Sequence, residues 1–223
     1  MNMIINKKLL SPVLPESMED IVTDSVYLLD KQENEEEVRD IVLKNIVLEG
    51  EDLSRMRFST MKLEGCTFLD CSFEKGEFVD IVFSACNFSN CNFSDSYFNR
   101  TIINSSKGLG AKFCGSTILH TTVKECNLNY SNFDNCKLEY FYAEETEMLG
   151  SNLTQCHLKH VGFSRLNLEH ASFFKTSMRG LDFRDSIIQG LTVSDDFKEL
   201  KGAVVDLYQA AELAKFLGVV IKE

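Results

Sequence analysis

Every fifth residue from Val38 to Val193 belongs to one apolar register. Of its 32 positions, 30 are Val, Ile, Leu, Met or Phe, although only about a third of the chain is of those types; the exceptions are Gly108 and Ala143. Thirteen of the 17 phenylalanines share the register: Phe58, Phe68, Phe73, Phe78, Phe83, Phe88, Phe93, Phe98, Phe113, Phe133, Phe163, Phe173 and Phe183. A period of five fits neither the 3.6 of an amphipathic helix nor the 2 of a half-buried strand. A backbone that turns every fifth side chain inward bends about every five residues. Such short straight segments wind into a coil, and coils stack into a solenoid. Adjacent coils then hydrogen-bond like neighbouring strands, about 4.8 Å apart.

The position two before the register residue is small in most units from Cys66 to Ser186. Cys66, Cys71, Cys86, Cys91, Cys126, Cys136 and Cys156 occupy it, and Ser, Thr, Ala or Gly does in most others, though Ile81 is larger; Cys114 lies outside it. The remaining positions of each unit are mostly Asn, Ser, Asp, Lys or Glu, and face water. The pairs Cys66/Cys71 and Cys86/Cys91 invite a metal or disulfide reading. Zinc needs four ligands converging on one point, about 2.3 Å from each sulfur. Cysteines five apart fall on different sides of a coil. Cysteines twenty apart stack at about 4.8 Å, more than the ~3.8 Å between Cβ atoms that a disulfide requires. Serine fills the same column, so packing explains the cysteines and no metal or cofactor is expected.

The other polar groups offer little chemistry. His120 and His160 share a column with Tyr140 between them, and His157 and His170 also face outward. Glu145, Arg165 and Asp185 stack, as do Glu139 and Lys159, and such ladders add modest stability. Glu125, Glu144, Glu145 and Glu147 form a candidate acidic surface beside the weak Ala143 segment. There is no phosphate loop, nucleophile elbow, HExxH motif or flat threonine array. The expectation is a protein that is not an enzyme.

The net charge of -11 is uneven. Residues 1–37 carry 3 basic and 9 acidic side chains, 38–193 carry 16 and 19, and 194–223 carry 4 and 6. An acidic chain is a poor nucleic-acid binder but suits a basic protein surface. No apolar run approaches 18 residues, and the N-terminal stretch lacks the pattern of a signal peptide. A cytoplasmic protein with no membrane contact is the expectation.

Three segments follow: a capping segment 1–35, the repeat 36–195 and a tail 196–223. Met18, Ile21, Val22, Ser25, Leu28 and Leu29 have helical spacing and predict a capping helix, followed by an exposed turn at "DKQENEEEV". In the tail, "AVV" reads as a strand, Asp206 as an N-cap, "LYQAAELAKFL" as a helix, Gly218 as its stop and "VVIK" as a final strand.

The units "CNFSN", "CNFSD", "SNFDN", "SNLTQ" and "LDFRD" resemble those of the pentapeptide-repeat family. The resemblance implies an all-β fold, a right-handed quadrilateral β-helix with four units per coil. Here that means about eight coils and a rod of about 38 Å at ~4.8 Å per coil, followed by the C-terminal helix and strand. The tail resembles that of Qnr-type quinolone-resistance members, particularly those of Gram-positive bacteria. That subgroup implies a homodimer through the C-terminus, involving Leu207, Tyr208, Ala211, Leu213, Ala214, Phe216, Leu217, Val219 and Ile221. It also implies DNA gyrase or topoisomerase IV as partner, bound by DNA mimicry and protected from quinolones. A structural rod with an unrelated protein partner is the alternative.

Overall fold

Residue n pairs with residue n + 20 in parallel through the repeat. Phe58 opposes Phe78, Phe78 opposes Phe98, and the series continues through Ile118, Leu138 and Leu158. The computed structural model describes residues 9–222, so the first eight residues of the N-terminal stretch read above lie outside the described residues. One turn is twenty residues in four five-residue sides, and the chain is a mostly-β parallel solenoid. Its longest strands are Arg57–Glu64, Glu77–Ser84, Tyr97–Asn104, Thr117–Lys124 and Lys137–Glu144; each runs over two sides and the corner between them, and side by side they form one long face. Elsewhere the turns meet through isolated bridges such as Asn87 to Lys107 and Asn92 to Lys112.

About seven turns carry strands on the long face, against the eight expected from 32 units. The equivalent of the eighth is residues 177–184, where turns replace the strand. Its amides reach into the tail: Met178 N–H donates to Glu199 O at 2.9 Å, and Phe183 N–H to Val204 O at 2.8 Å. The tail thus supplies the partner that another coil would have provided.

The corners have a simple backbone origin. Every fifth residue from Asp40 to Gly190, Asp185 excepted, has positive φ. Glycine adopts this region freely and Asn or Asp do so more readily than other residues. Gly50, Gly65, Gly110, Asn45, Asp70, Asn90 and Asn135 fit that preference, whereas Tyr130, Tyr140 and Arg100 are held there by the pairing on either side.

Inside, the rings form vertical piles. Phe73, Phe93, Phe113 and Phe133 stack with centroids 4.9–5.2 Å apart, and Phe58, Phe78 and Phe98 stack at 5.1 and 4.6 Å. Neighbouring piles meet edge to face, as Phe93 does with Phe98 at 5.8 Å. The void left among these rings is about 10 Å³, no more than one water probe. Leu158 and Val193, near the end of the register, are only half-buried.

The small column does more than fit. From within it, side chains donate to the carbonyl of the register residue one turn below: Cys86 Sγ–H to Leu63 O at 3.4 Å, Cys91 to Phe68 O at 3.2 Å, Cys136 to Phe113 O at 2.8 Å. Ser96 and Ser116 do the same to Phe73 O and Phe93 O, at 2.9 and 2.7 Å. Cysteine and serine alternate because both are small donors. Cys86→Ala is therefore expected to cost about 1 kcal/mol for the lost bond plus a little packing, and Cys86→Ser to retain the bond. Urea unfolding of the two variants checks this, and stoichiometric zinc in the parent protein would refute the packing role.

The ends differ from the sequence reading. Ile21–Val22 is a short strand paired with Val42–Leu43, not part of a helix. The helix, α1, is Val26–Glu33, so Asp30–Glu33 of the expected turn are helical; Leu28 is fully buried over the first coil. Pairing with the coil edge wins Ile21 and Val22 because an open edge has unpaired N–H and C=O groups to offer. At the other end, helix α2, Leu207–Ala214, begins at Asp206 with a capping box closed by Gln209. The Gln209 amide also donates to Phe183 O and Ser186 O, both at 2.7 Å, sealing the last coil. The Glu199 carboxylate, almost fully buried, accepts from Lys175 N–H at 2.7 Å and from the Ser194 hydroxyl at 2.7 Å. "AVV" forms a single bridge, Val204 to Asp182, and "VVIK" forms no strand: residues 219–222 make no bridge to another segment and lie exposed. Gly218 has φ +73° and ends the final helical turn, Lys215–Leu217.

Candidate functional site

The filled interior directs attention to the outer faces and the C-terminal end. Glu125, Glu144 and Glu145 come together at one corner, as the twenty-residue register requires, but they do not stand alone. Arg165 bonds Glu145 at 2.8 Å and also pairs with Glu144, while Lys124 lies 3.7 Å from Glu125 and 3.6 Å from Glu144. Two cations thus answer three carboxylates. Glu147 lies on the adjacent side, where its carboxylate accepts from Asn167 Nδ2 at 2.8 Å. Glu139 is held by Lys159 at 2.5 Å. Asp185 accepts from the Ser164 hydroxyl at 2.9 Å rather than completing an Arg165 ladder.

His120, Tyr140 and His160 stack outside the long face, with ring centroids 4.8 and 4.6 Å apart. His157 and His170 are exposed. The eight cysteines are free. Burial pushes Cys126 up to about 11 and Cys156 up to about 12, so neither is a thiolate near neutrality. The neighbouring thiol, and then burial, raise Cys86 and Cys91 as well. Among the described residues, no three His, Cys, Asp or Glu side chains are placed to hold a metal, and no helix is long and apolar enough to cross a membrane.

The C-terminal end carries the most exposed apolar cluster. Leu207 is 80% exposed, Tyr208 83% and Leu217 70%, and Val219 and Ile221 are about half-exposed. Ala211, Leu213, Ala214 and Phe216 are half-buried; Leu213 packs on the core and Phe216 stacks on Phe197 with centroids 5.9 Å apart.

The profile of pentapeptide repeats, in eight copies, matches residues 150–190. Residues 150–190 thus match pentapeptide repeats, and the same five-residue register runs from Val38 to Val193. A second profile, for the SV2A/B/C luminal domain, matches residues 29–122. No curated protein sequence matches the chain. Among solved structures, a trypsin-treated form of QnrB1, a plasmid-mediated fluoroquinolone resistance protein, is 21% identical and covers 82% of this chain and 100% of its own, with a TM-score of 0.49. Full-length QnrB1 is 23% identical, covering 80% and 100%, with a TM-score of 0.46. HetL, a pentapeptide-repeat protein involved in heterocyst differentiation regulation in the cyanobacterium Nostoc, is 14% identical, covering 75% and 90%, with a TM-score of 0.43.

One feature of this solenoid escapes a local reading of the sequence. Residues 9–20 form no helix or strand and run along the outside of the long face. Leu10 N–H donates to His120 Nδ1 at 3.3 Å, and Val13 N–H to Asp80 Oδ1 at 2.8 Å. Asp80 is itself nearly buried and gripped by Arg100 through two bonds of 2.6 Å. The signal was present, though: Val79, Val82, Ile102 and Leu119 occupy outward positions where the repeat is usually polar.

His120 accepts the Leu10 amide only through a neutral nitrogen. Burial first, then nearby Arg100, lowers its pKa from the ordinary 6.5, against an opposing pull from Glu139; Tyr140 stacks on its other side. The neutral ring favours the docked arm, so this contact is present above 6.5 and is lost as pH falls through the lowered value. The Leu10 amide resonance is expected to shift toward its free position on acidification, with Val13 unaffected over the same range; a Leu10 resonance that does not track His120 would refute the contact.

Proposed function

We propose that this chain is a pentapeptide-repeat protein and a non-catalytic, cytoplasmic binding rod of the Qnr type, of the subgroup found in Gram-positive bacteria. In this reading it engages DNA gyrase or topoisomerase IV as a DNA mimic and protects the enzyme from quinolones. The observation that carries the proposal is the apolar C-terminal end, with Leu207, Tyr208 and Leu217 largely exposed on a solenoid whose core is filled. Two copies meeting there cover that surface and double the rod. The acidic net charge of -11 suits a basic DNA-binding surface.

The test has two arms. Leu207→Glu/Leu217→Glu, at positions exposed in one chain, is expected to turn a dimer into a monomer by sedimentation while leaving the fold intact. In a gyrase supercoiling assay with ciprofloxacin, the parent protein is expected to restore activity and the monomeric variant to lose most of that effect. A parent that neither binds gyrase nor rescues supercoiling sinks the proposal. The second reading, a scaffolding rod for an unrelated protein, draws support from the pairing of Glu125, Glu144 and Glu145 with Lys124 and Arg165, which thins the negative field a phosphate mimic needs. A pull-down that retains a partner but neither topoisomerase would favour it.

A further inference from the structure

The outward apolar residues of the long face are not scattered. Val79 and Val82 flank Asp80, Ile102 follows Arg100, and Leu119 precedes His120. These are the three turns that residues 10–13 cross between their two anchors. Within those three turns the two columns also hold Asn99 and Thr122; below them stand Ser59 and Lys62, and above them Glu139 and Tyr142. Four of the six outward positions of this stripe are thus apolar where the arm lies, against one, the Tyr142 ring, of the four that flank them. Despite facing outward, its four apolar side chains are only partly exposed.

The arm is lightly held. Its anchors are two side-chain acceptors, not a strand ladder, and Leu10 and Val13 remain 51% and 67% exposed. Pro12 and Pro15 favour an extended path and have no N–H to pair. The three steps from Leu10 to Val13 span about 10 Å when extended, which matches two turns at ~4.8 Å. The site reads one chemistry: an extended segment with apolar side chains beside proline and two free backbone N–H groups, one facing a buried, oriented carboxylate.

We propose that this three-turn stripe is a binding groove for an extended, proline-bearing apolar peptide of a partner protein, and that residues 9–15 of this chain occupy it in cis. Release of the arm opens the groove. A tethered occupant competes at an effective concentration in the millimolar range, so the intact chain takes an added peptide weakly.

The test uses the full chain and a fluorescein-labelled peptide, LLSPVLPESM, copied from residues 9–18. Leu10→Pro/Val13→Pro deletes both anchoring N–H groups and leaves the groove untouched. By fluorescence anisotropy this variant is expected to bind the peptide about tenfold or more tightly than the parent does. Adding Leu119→Lys, a residue that Lys159 shows this column accommodates, is expected to abolish the gain. Equal affinity of parent and arm variant, or a gain that survives Leu119→Lys, overturns the proposal.

Discussion

Phe93→Ala is expected to lower the unfolding free energy by about 3–5 kcal/mol. Phe93 packs against rings on every side, as Phe78 does. It stacks on Phe73 at 5.0 Å and Phe113 at 5.2 Å, and meets Phe78, Phe88 and Phe98 edge-on within 6 Å. Removing it opens a hole between two turns that the backbone bridges of Asn92 to Ser72 and Lys112 hold apart, so the cavity persists and the loss lies toward the upper end of the range. Aromatic pairs add about 0.5–1.5 kcal/mol each beyond area, and several go at once. Denaturant unfolding followed by circular dichroism gives the value; a loss below about 1 kcal/mol would mean the piles contribute less than their geometry implies.

Gly108→Leu is the second large effect, and its sign is opposite to what the repeat pattern suggests. Leucine is a usual residue of the register, and from sequence Gly108 reads as a gap awaiting a side chain. The structure has no gap there. The Phe88 ring and Leu128 lean into the space: a Cβ on Gly108 would overlap Phe88, with Cδ2 at 2.7 Å, and stand 2.9 Å from Leu128 Cδ2. Overpacking of this kind typically costs about 1–3 kcal/mol. Because Phe88 is itself confined by Phe83 and Phe93, at 6.2 and 5.9 Å, the upper end is expected. A melting temperature raised by Gly108→Leu would show that the neighbours can retreat.

The core was legible because its period is unlike any other. A residue type recurring every five positions fixes which side chains face inward without knowledge of the pairing, and Phe58 to Phe183 follow from it. The donor role of the small column was half-visible: Ser96 standing where Cys86 and Cys91 stand in other units already removed sulfur from the argument. The hydrogen bond itself joins residues 23 apart and leaves no local trace. Ile21 and Val22 went astray because apolar spacing cannot register a distant strand edge that competes for their backbone. "VVIK" reads as a strand by composition, yet pairing needs a partner and residues 219–222 bridge to no other segment. The arm is the most instructive case. Nothing in "LLSPVLPESM" predicts its course, but the apolar outward residues Val79, Val82, Ile102 and Leu119 were a break in the polar rule, and that break marks where it lies.

The unbroken twenty-residue register makes the outer surface a graduated scale. Asn87, Asn127 and Asn167 bond in sequence through Lys107 and Glu147 along one side, which sets them about 10 Å apart at ~4.8 Å per turn. Any outward position has its counterpart at a whole number of such steps. Dyes or cross-linkers placed at these marks would measure the height along the rod at which a bound partner sits, with the residue number itself as the unit of length.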